Sequence, residues 1–275
     1  MANFSIEDLK ALREQLGTGM TDTKNALVEA EGDVARATEL LRLKGAKGNA
    51  KRADRSTSEG LVAARESGDS VSMIVLACET DFVAKNEKFI GLADQIADAV
   101  AGAGAASVDE ALEVAVDGKT VRQLVEEQAA VIGEKIELAQ VSTLKGDKFA
   151  VYLHRTSKDL PPQVGVTVAY TGDDADTARA VAQHIAMFAP EHITRDEVPA
   201  DVVEKERSLA AEIATSEGKP EAALPKIVEG RLTGFFKQTV LLDQAFARDN
   251  KQSVGQVLES AGLTVSGFSR FKIGA

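Results

Sequence analysis

Apolar side chains recur at helical spacing in the first part of the chain and predict three short helices. The first helix follows Ser5 and carries leucines at every third or fourth position, namely Leu9, Leu12 and Leu16. A glycine-containing break follows, and the pattern restarts near Thr21, which predicts a second helix. A third helix is expected from Asp33 to Gly45. Three helices of this length indicate a small bundle whose outer face packs against something else.

Residues 46 to 58 contain no bulky apolar side chain and four basic ones. This composition predicts a linker between domains, because the segment has too little apolar surface to join a core. The alternative is that the basic side chains contact an acidic patch of a partner protein.

Alternating and continuous apolar runs, typical of β-strands, begin after this linker. Gly60–Arg65 and Val71–Glu79 are predicted to pair as neighbouring strands, and an amphipathic helix follows them. The same order recurs, with strands at 149–154 and 164–170 and a helix at 179–189. The chain is therefore expected to contain two similar α+β core lobes.

Two longer amphipathic helices follow Pro190. They surround the turn Ser216–Pro220 and predict an antiparallel helical hairpin, inserted at about 191–235, in which Leu209 and Ile213 face the second helix. Such a hairpin can protrude from a lobe and serve as an interaction arm, including one that joins two copies of the chain in a homodimer.

These patterns together predict the α+β fold class with three domains. The first is a three-helix partner-binding domain with its basic linker at 1–54. The second is the first core lobe at 55–140. The third is the second core lobe at 141–275, which carries the helical hairpin.

Charge and composition limit the classes of partner. The chain of 275 residues has a formal net charge of −11, which disfavours nucleic acid because phosphate binding requires many Lys and Arg side chains. No window is apolar enough to span a membrane, and the first residues carry no export signal. The single cysteine rules out an internal disulfide, as is usual in a reducing cytosol. We therefore expect a soluble cytoplasmic protein.

No group of side chains in the sequence has the spacing of an active site. The chain has no phosphate-binding glycine loop, and its histidines lie far from other metal-binding side chains. His184 is expected at the surface of a helix or at the edge of the core. Cys78 precedes two acidic residues that disfavour its thiolate, which favours a buried structural thiol over a nucleophile. We therefore expect a protein that is not an enzyme and needs neither a cofactor nor a metal.

One short polar segment contains an isolated aromatic side chain. Thr80, Asp81, Phe82 and Val83 lie where a buried strand ends and before the next helix. In one interpretation Thr80 or Asp81 caps the helix and Phe82 folds back onto the core. In the other, Phe82 points outward from a rigid turn, and its burial in a partner contributes about 1.5 to 3 kcal/mol.

Three segments of the sequence resemble one protein family. The run Cys78–Asn86, CETDFVAKN, resembles the signature of the bacterial translation elongation factor Ts family. A motif near the family's N-terminus is matched by Leu12, Arg13, Gly19, Met20 and Lys24. The segment 202–232 resembles the family's helical hairpin. The resemblance covers nearly the whole chain and implies an N-terminal domain similar to ubiquitin-associated domains.

The resemblance implies a function in guanine-nucleotide exchange. Members of this family bind elongation factor Tu in its GDP-bound and nucleotide-free forms and promote GDP release, after which GTP binds. By this resemblance the turn from Thr80 to Val83 dislocates the partner's magnesium ion, with Phe82 in an apolar pocket and Asp81 adding negative charge. The N-terminal motif is implied to contact the partner, and so is His154 from the second lobe.

The sequence departs from the family pattern at two places. Leu16 stands where the family has a polar residue, and no C-terminal helical module follows Ile273, so partner contacts by that module are not expected. The competing hypothesis is a protein-docking or chaperone-like module that uses the N-terminal bundle alone. In that case deletion of residues 1–54 would abolish binding, whereas substitution of Phe82 would have no effect.

Overall fold

The chain folds into two compact units. The computed structural model describes residues 4–274; the expectation that the N-terminus carries no export signal rests partly on residues 1–3, which lie outside them. The first unit contains the described residues up to Thr143, together with Leu153–Val164 and the segment that begins at Phe271. The second unit contains Leu144–Tyr152 and Gly165–Arg270. Each unit has its own hydrophobic core.

Helices precede and then alternate with strands in the first half of the chain. The helices are α1 (Ile6–Leu16), α2 (Met20–Glu29), α3 (Val34–Arg52), α4 (Asp81–Ala84), α5 (Glu87–Ala103), α6 (Val108–Leu112) and α7 (Val121–Ile132). The strands are β1 (Glu59–Ser67), β2 (Ser70–Cys78), β3 (Ala115–Val116), β4 (Lys119–Thr120) and β5 (Ile136–Lys145). The three predicted N-terminal helices and the first predicted strand pair are therefore present.

The second half of the chain contains a second set of strands and the two hairpin helices. The strands are β6 (Lys148–His154), β7 (Val164–Thr171), β8 (Ala245–Phe246), β9 (Asp249–Ser253) and β10 (Thr264–Lys272). The helices are α8 (Ala175–Phe188), α9 (Ala200–Ser216), α10 (Leu224–Thr239) and α11 (Val254–Ser260).

The N-terminal bundle of α1, α2 and α3 begins with a capping box at Ser5. The Ser5 hydroxyl accepts a hydrogen bond from the Asp8 amide, and the Asp8 carboxylate accepts one from the Ser5 amide. Gly17 follows α1 in the left-handed conformation, at φ 64°, which favours glycine. Leu12 and Leu27 are buried in the core of the bundle. The predicted start of the first helix and its apolar face are confirmed.

The third helix is longer than predicted and replaces part of the expected linker. The prediction that it ends at Gly45 is wrong, because α3 continues to Arg52. Gly45 faces α7, where a Cβ atom in its place would lie only 2.8 Å from the Cβ atom of Ala130. Glycine here permits close packing of two helices instead of ending one. Asn49 and Arg52 donate hydrogen bonds to backbone carbonyls of α7 and fix the second half of α3.

The first unit is built on a three-stranded sheet with the strand order β1-β2-β5, in which β1 and β2 are antiparallel. Every residue of β2 is buried, as expected for its continuous apolar run. Gly60 of β1 has φ 143°, and a Cβ atom there would overlap the carbonyl oxygen of Leu76. Helix α5 covers this core with Phe89, Ile96 and Val100, which are fully buried.

The second unit repeats the combination of a sheet and a covering helix. Its sheet has the strand order β10-β7-β6, and β7 in the centre is buried along all but its last residue. Val181 and Ile185 of α8 share one core with Val166 and Val168 of β7. The α+β fold class, with N-terminal helices, antiparallel sheet and a helical hairpin, is confirmed.

The predicted domain division differs in its bounds from the two compact units. The bundle and the first sheet lie in one unit, and residues 153–164 belong to that unit as well. Three domains at 1–54, 55–140 and 141–275 therefore stay a prediction. Among residues 4–274, no helix is long and apolar enough to cross a membrane.

Helices α9 and α10 form the predicted hairpin. Leu209 and Ile213, which the sequence predicts to face the second helix, lie at the edge of the contact: they are 49% and 36% exposed and line a groove with Leu232 and Phe235 of α10. The centre of the contact on α9 carries the buried Ala210 and Ala214, and Ala210 packs with Leu232. Small side chains at the centre let the two helices approach closely. Pairing of two copies of the chain through this hairpin stays a prediction.

His184 lies in the core of the second unit, so its predicted position at the helix surface or core edge is wrong. The Nε2 atom of this fully buried ring lies 2.8 Å from Oε1 of Gln244. The Nδ1 atom accepts a hydrogen bond from the Ala247 amide at 3.1 Å, so the neutral ring carries its proton on Nε2. Phe188 and Phe246 stack on the ring. Because both nitrogens have partners, the polar ring can be buried at little cost.

We expect His184 to make the free energy of unfolding depend on pH. Burial lowers the pKa of His184 below its ordinary value of 6.5, and the hydrogen bond with Gln244 opposes that shift only in part. The unfolded chain therefore takes up a proton at higher pH than the folded chain. The stabilisation is complete above about pH 6.5 and is lost as the pH falls from there through the lower folded pKa, by about 1.4 kcal/mol per pKa unit of difference.

Urea unfolding on both sides of that pH measures the effect. The loss of stability on acidification should be smaller in His184→Gln, which cannot take up the proton. An equal loss in the variant and in the unaltered chain would show that other groups are responsible.

Candidate functional site

The turn between β2 and α5 carries the segment that the sequence singles out. Thr80 caps the short helix α4, since its hydroxyl accepts a hydrogen bond from the Val83 amide. Asn86 caps α5 in a similar way through the Lys88 amide. Two successive N-caps therefore fix the backbone on either side of Phe82.

Phe82 points into solvent from this turn. Its side chain is 79% exposed, more than any other large apolar side chain among residues 4–274. Val83 and Ala84, the next two residues, are buried in the core of the first unit. The ring of Phe82 thus points outward, as the second interpretation predicts, while Thr80 caps the helix, as the first predicts. Val83 anchors the turn to the core. Its side chain therefore has almost no surface exposed to a partner in this conformation, and a partner contact by Val83 stays a prediction.

Asp81 forms an ion pair beside the exposed ring. Its carboxylate lies 2.6 Å from the Nζ atom of Lys85, and the hydrogen bond from Lys85 lowers the pKa of Asp81. The same Nζ atom lies 5.7 Å from the centre of the Phe82 ring, within the range of a cation–π contact. Lys85 thus contacts both the charge and the ring that the turn presents. The sequence motif contains Lys85, but no role is predicted for it from the sequence.

Cys78 lies at the base of the turn and is fully buried. Its thiol is 3.3 Å from the carbonyl oxygen of Thr80. Burial, and to a smaller extent the nearby Glu134 carboxylate, raises the pKa of Cys78 to about 12. The thiolate is therefore absent at neutral pH, and the expectation of a buried structural thiol is confirmed.

The N-terminal motif is divided between the core and the surface of the bundle. Leu12 is buried, so it supports the motif from inside and offers no surface to a partner. The other members are exposed: Arg13, Gly19, Met20 and Lys24. Val28 is 52% exposed on the same face of α2 as Met20 and Lys24. Val28 is not among the contacts predicted from the sequence, although its spacing of four residues from Lys24 places it on the same face of the helix.

His154 ends strand β6 and lies at the surface. It belongs to the first unit, whereas the sequence places it in the second lobe. Its carbonyl oxygen accepts a hydrogen bond from the Gln163 amide. A partner contact by His154 stays a prediction. Within the described part of the chain, no group of three or more His, Cys, Asp or Glu side chains is arranged to hold a metal ion.

Most of the chain, from the exposed turn onward, matches one known family. The family model for elongation factor Ts matches residues 79–275. The chain belongs to the elongation factor Ts family. The resemblance seen in the sequence is therefore confirmed, and membership of the family makes the chain a translation elongation factor.

Relatives named elongation factor Ts match the chain over its full length. The protein from Leifsonia xyli subsp. xyli is 63% identical over 276 residues, which is 100% of both chains. The proteins from Clavibacter sepedonicus and Arthrobacter sp. are 62% and 53% identical, again over 100% of both chains. The N-terminal bundle, which precedes the span of the family model, is thus shared with these relatives.

Proposed function

We propose that the chain binds elongation factor Tu, in its GDP-bound and nucleotide-free forms, and promotes the release of GDP so that GTP can bind. The observation that supports this most is the 79% exposure of Phe82 on a turn held by two N-caps. An exposed aromatic ring gains free energy when it enters an apolar pocket of a partner. Because the turn is already ordered, little of that gain is offset by lost conformational entropy.

The proposed target is the place where elongation factor Tu holds magnesium and the phosphates of GDP. Phe82 enters an apolar pocket beside this place and displaces the groups that position the ion. The Asp81 carboxylate, once its exposed ion pair with Lys85 opens, adds negative charge where magnesium had balanced the phosphates. Without the ion the phosphate charge is poorly compensated, and GDP dissociates faster.

The proposed action involves no covalent step, so the chain is an exchange factor and not an enzyme that converts a substrate. Binding free energies are coupled reciprocally, so a protein that lowers the affinity of elongation factor Tu for nucleotide is itself released when nucleotide rebinds. One molecule of the chain can therefore act on many molecules of elongation factor Tu. Neither nucleic acid nor a membrane takes part, and the cytoplasm is the proposed location.

Release of a fluorescent GDP analogue tests this proposal. Elongation factor Tu is loaded with the analogue and chased with excess GDP, with and without catalytic amounts of the chain. We expect the chain to accelerate release well beyond one turnover per molecule. A folded chain that binds elongation factor Tu and leaves the release rate unchanged would refute the exchange function.

The exposed face of α2 is proposed to contribute affinity more than exchange rate. Met20→Ala should weaken binding to elongation factor Tu by about five- to tenfold, because Met20 is 47% exposed and offers contact area. Lys24→Ala should make the affinity less sensitive to salt. Calorimetric titration gives the affinity, and the release rate at saturation should stay nearly unchanged.

Leu43→Ala on α3 is the matched control for this face, since Leu43 is 55% exposed outside the family motif. Leu43→Ala should leave the affinity and the saturating release rate unchanged. A fall in the saturating release rate of Met20→Ala, with its affinity intact, would contradict the role given to α2.

A protein-docking or chaperone-like module based on the bundle alone is the competing proposal. The exposed apolar side chains of Met20 and Val28 favour it. This proposal gives no role to Phe82. It therefore predicts that Phe82→Ala binds as tightly as the unaltered chain and that substitutions on the exposed face of α2 abolish binding. Substitutions separate the two proposals better than deletion of residues 1–54, because that deletion also removes the part of α3 that packs on α7.

A further inference from the structure

Two glutamates form reciprocal contacts at the base of the Phe82 turn. The Glu134 carboxylate accepts hydrogen bonds from the Thr80 amide at 3.1 Å and from the Thr80 hydroxyl at 2.7 Å. In return, the Glu79 carboxylate accepts a hydrogen bond from the Lys135 amide at 2.6 Å. Each of the two segments thus binds the backbone of the other through a carboxylate. We call this arrangement the carboxylate clasp.

The clasp acts on the hydrogen bond that starts α4. The Thr80 hydroxyl donates a hydrogen bond to Glu134, so its oxygen lone pairs are free to accept the hydrogen bond from the Val83 amide. A hydroxyl that donates to a carboxylate is polarised and becomes a better acceptor. Glu134 therefore stabilises the N-cap that sets the direction of α4, and Phe82 is the second residue of that helix.

Both carboxylates are held in place by their surroundings. Glu134 follows Gly133, which ends α7 at φ 84°, and lies just before β5, so its backbone is fixed between two elements. Glu79 also pairs with Arg55 at 3.2 Å. The hydrogen bond from the Lys135 amide lowers the pKa of Glu79, with a further contribution from Arg55. The clasp is thus a preorganised support and differs from a mobile surface ion pair.

We propose that Glu134 is a positioning residue for nucleotide exchange, which holds Thr80 so that Phe82 meets the partner in one orientation. This inference rests on the proposed exchange function. Glu134 acts through Thr80 and the start of α4, with no contact to the nucleotide site. Without it, Phe82 samples more orientations, and part of the binding free energy is used to order the turn.

A double-mutant cycle tests whether Glu134 acts through Phe82. Release of fluorescent GDP from elongation factor Tu is measured at saturation for Glu134→Ala, for Phe82→Ala and for the double variant. Glu134→Ala should reduce the release rate about tenfold in the natural background and less than about twofold when Phe82 is already alanine. When Phe82 is alanine, the ring that Glu134 positions is absent, so loss of Glu134 should have little further effect.

Two further variants calibrate the cycle. Glu134→Gln keeps one acceptor oxygen for Thr80 and should recover part of the lost rate. Glu126→Ala removes an exposed carboxylate from α7 without touching the turn, and it should leave the rate unchanged. Hydrogen exchange of the Thr80 amide should accelerate in Glu134→Ala while the thermal midpoint of unfolding changes little.

The possible results separate this inference from the exchange function itself. Equal reductions by Glu134→Ala in both backgrounds, or no reduction at all, would overturn the role of Glu134 and leave the exchange function standing. No acceleration by the unaltered chain would refute the exchange function and the positioning role together. If Glu134→Ala does not fold, the same cycle with Glu134→Gln decides, with a smaller reduction expected in the natural background only.

Discussion

Replacing Phe82 with alanine is expected to remove most of the acceleration of GDP release and to leave the fold intact. The side chain is 79% exposed, so its truncation should change the free energy of unfolding by less than about 0.5 kcal/mol. The same truncation removes a ring whose proposed burial in the partner is worth about 1.5 to 3 kcal/mol, which corresponds to a rate loss of about 10- to 150-fold. The release rate at saturation should fall more than the affinity, because the ring is proposed to act on the nucleotide site.

Stopped-flow release over a range of concentrations separates the saturating rate from the affinity. Met187→Ala is the matched control, since Met187 is 71% exposed but lies on α8 in the second unit. It should leave both quantities close to those of the unaltered chain. Proportionate losses of binding and exchange in Phe82→Ala would show that the ring adds only contact area, and the wedge role would fail.

Replacing Phe89 with alanine is expected to have the opposite profile, with a large loss of stability. Phe89 is fully buried in the same core cluster as Val83 and Ala84. Truncating a buried phenylalanine removes apolar contacts and leaves a cavity, which costs about 3 to 5 kcal/mol. Because Val83 and Ala84 anchor the Phe82 turn to this cluster, we also expect hydrogen exchange of the turn to become faster.

Urea unfolding followed by circular dichroism measures the change in stability. Phe89→Leu, which keeps most of the apolar volume, should be much less destabilised than Phe89→Ala. An unfolding free energy of Phe89→Ala within about 1 kcal/mol of the unaltered chain would contradict the packing of α5 described above. Together the two alanine variants separate a phenylalanine used for exchange from one used for stability.

The candidate turn could be located from the sequence because local rules determine most of its structure. Thr80 has the hydroxyl that an N-cap requires, and Phe82 is an isolated aromatic residue in a polar stretch after a buried strand. The direction of Phe82 could not be predicted, because it depends on whether the core has room for a second ring. Phe89 and Val83 already fill the core next to the turn, and Phe82 is left outside.

Other features depend on contacts between elements that are far apart in the sequence. Gly45 resembles a helix end in the local pattern, but its role is set by Ala130 of α7. Ala210 of α9 lies at the centre of the hairpin contact and the bulkier Leu209 at its edge, because α10 packs closely there. The burial of His184 requires Gln244 as a partner. Local patterns therefore predicted where helices and strands occur, and tertiary packing decided where they end and which side faces inward.

The docking of α3 on α7 affects how the two proposed binding surfaces can act together. The exposed face of α2 and the Phe82 turn belong to the same compact unit, and helix replaces the first half of the linker expected between them. A flexible tether lets a second contact search a large volume, whereas a docked helix presents it at a high effective concentration once the first contact has formed. Two individually modest contacts of the proposed kind would give strong avidity, which would be lost when either contact breaks. This fits the proposed release of the chain when nucleotide rebinds.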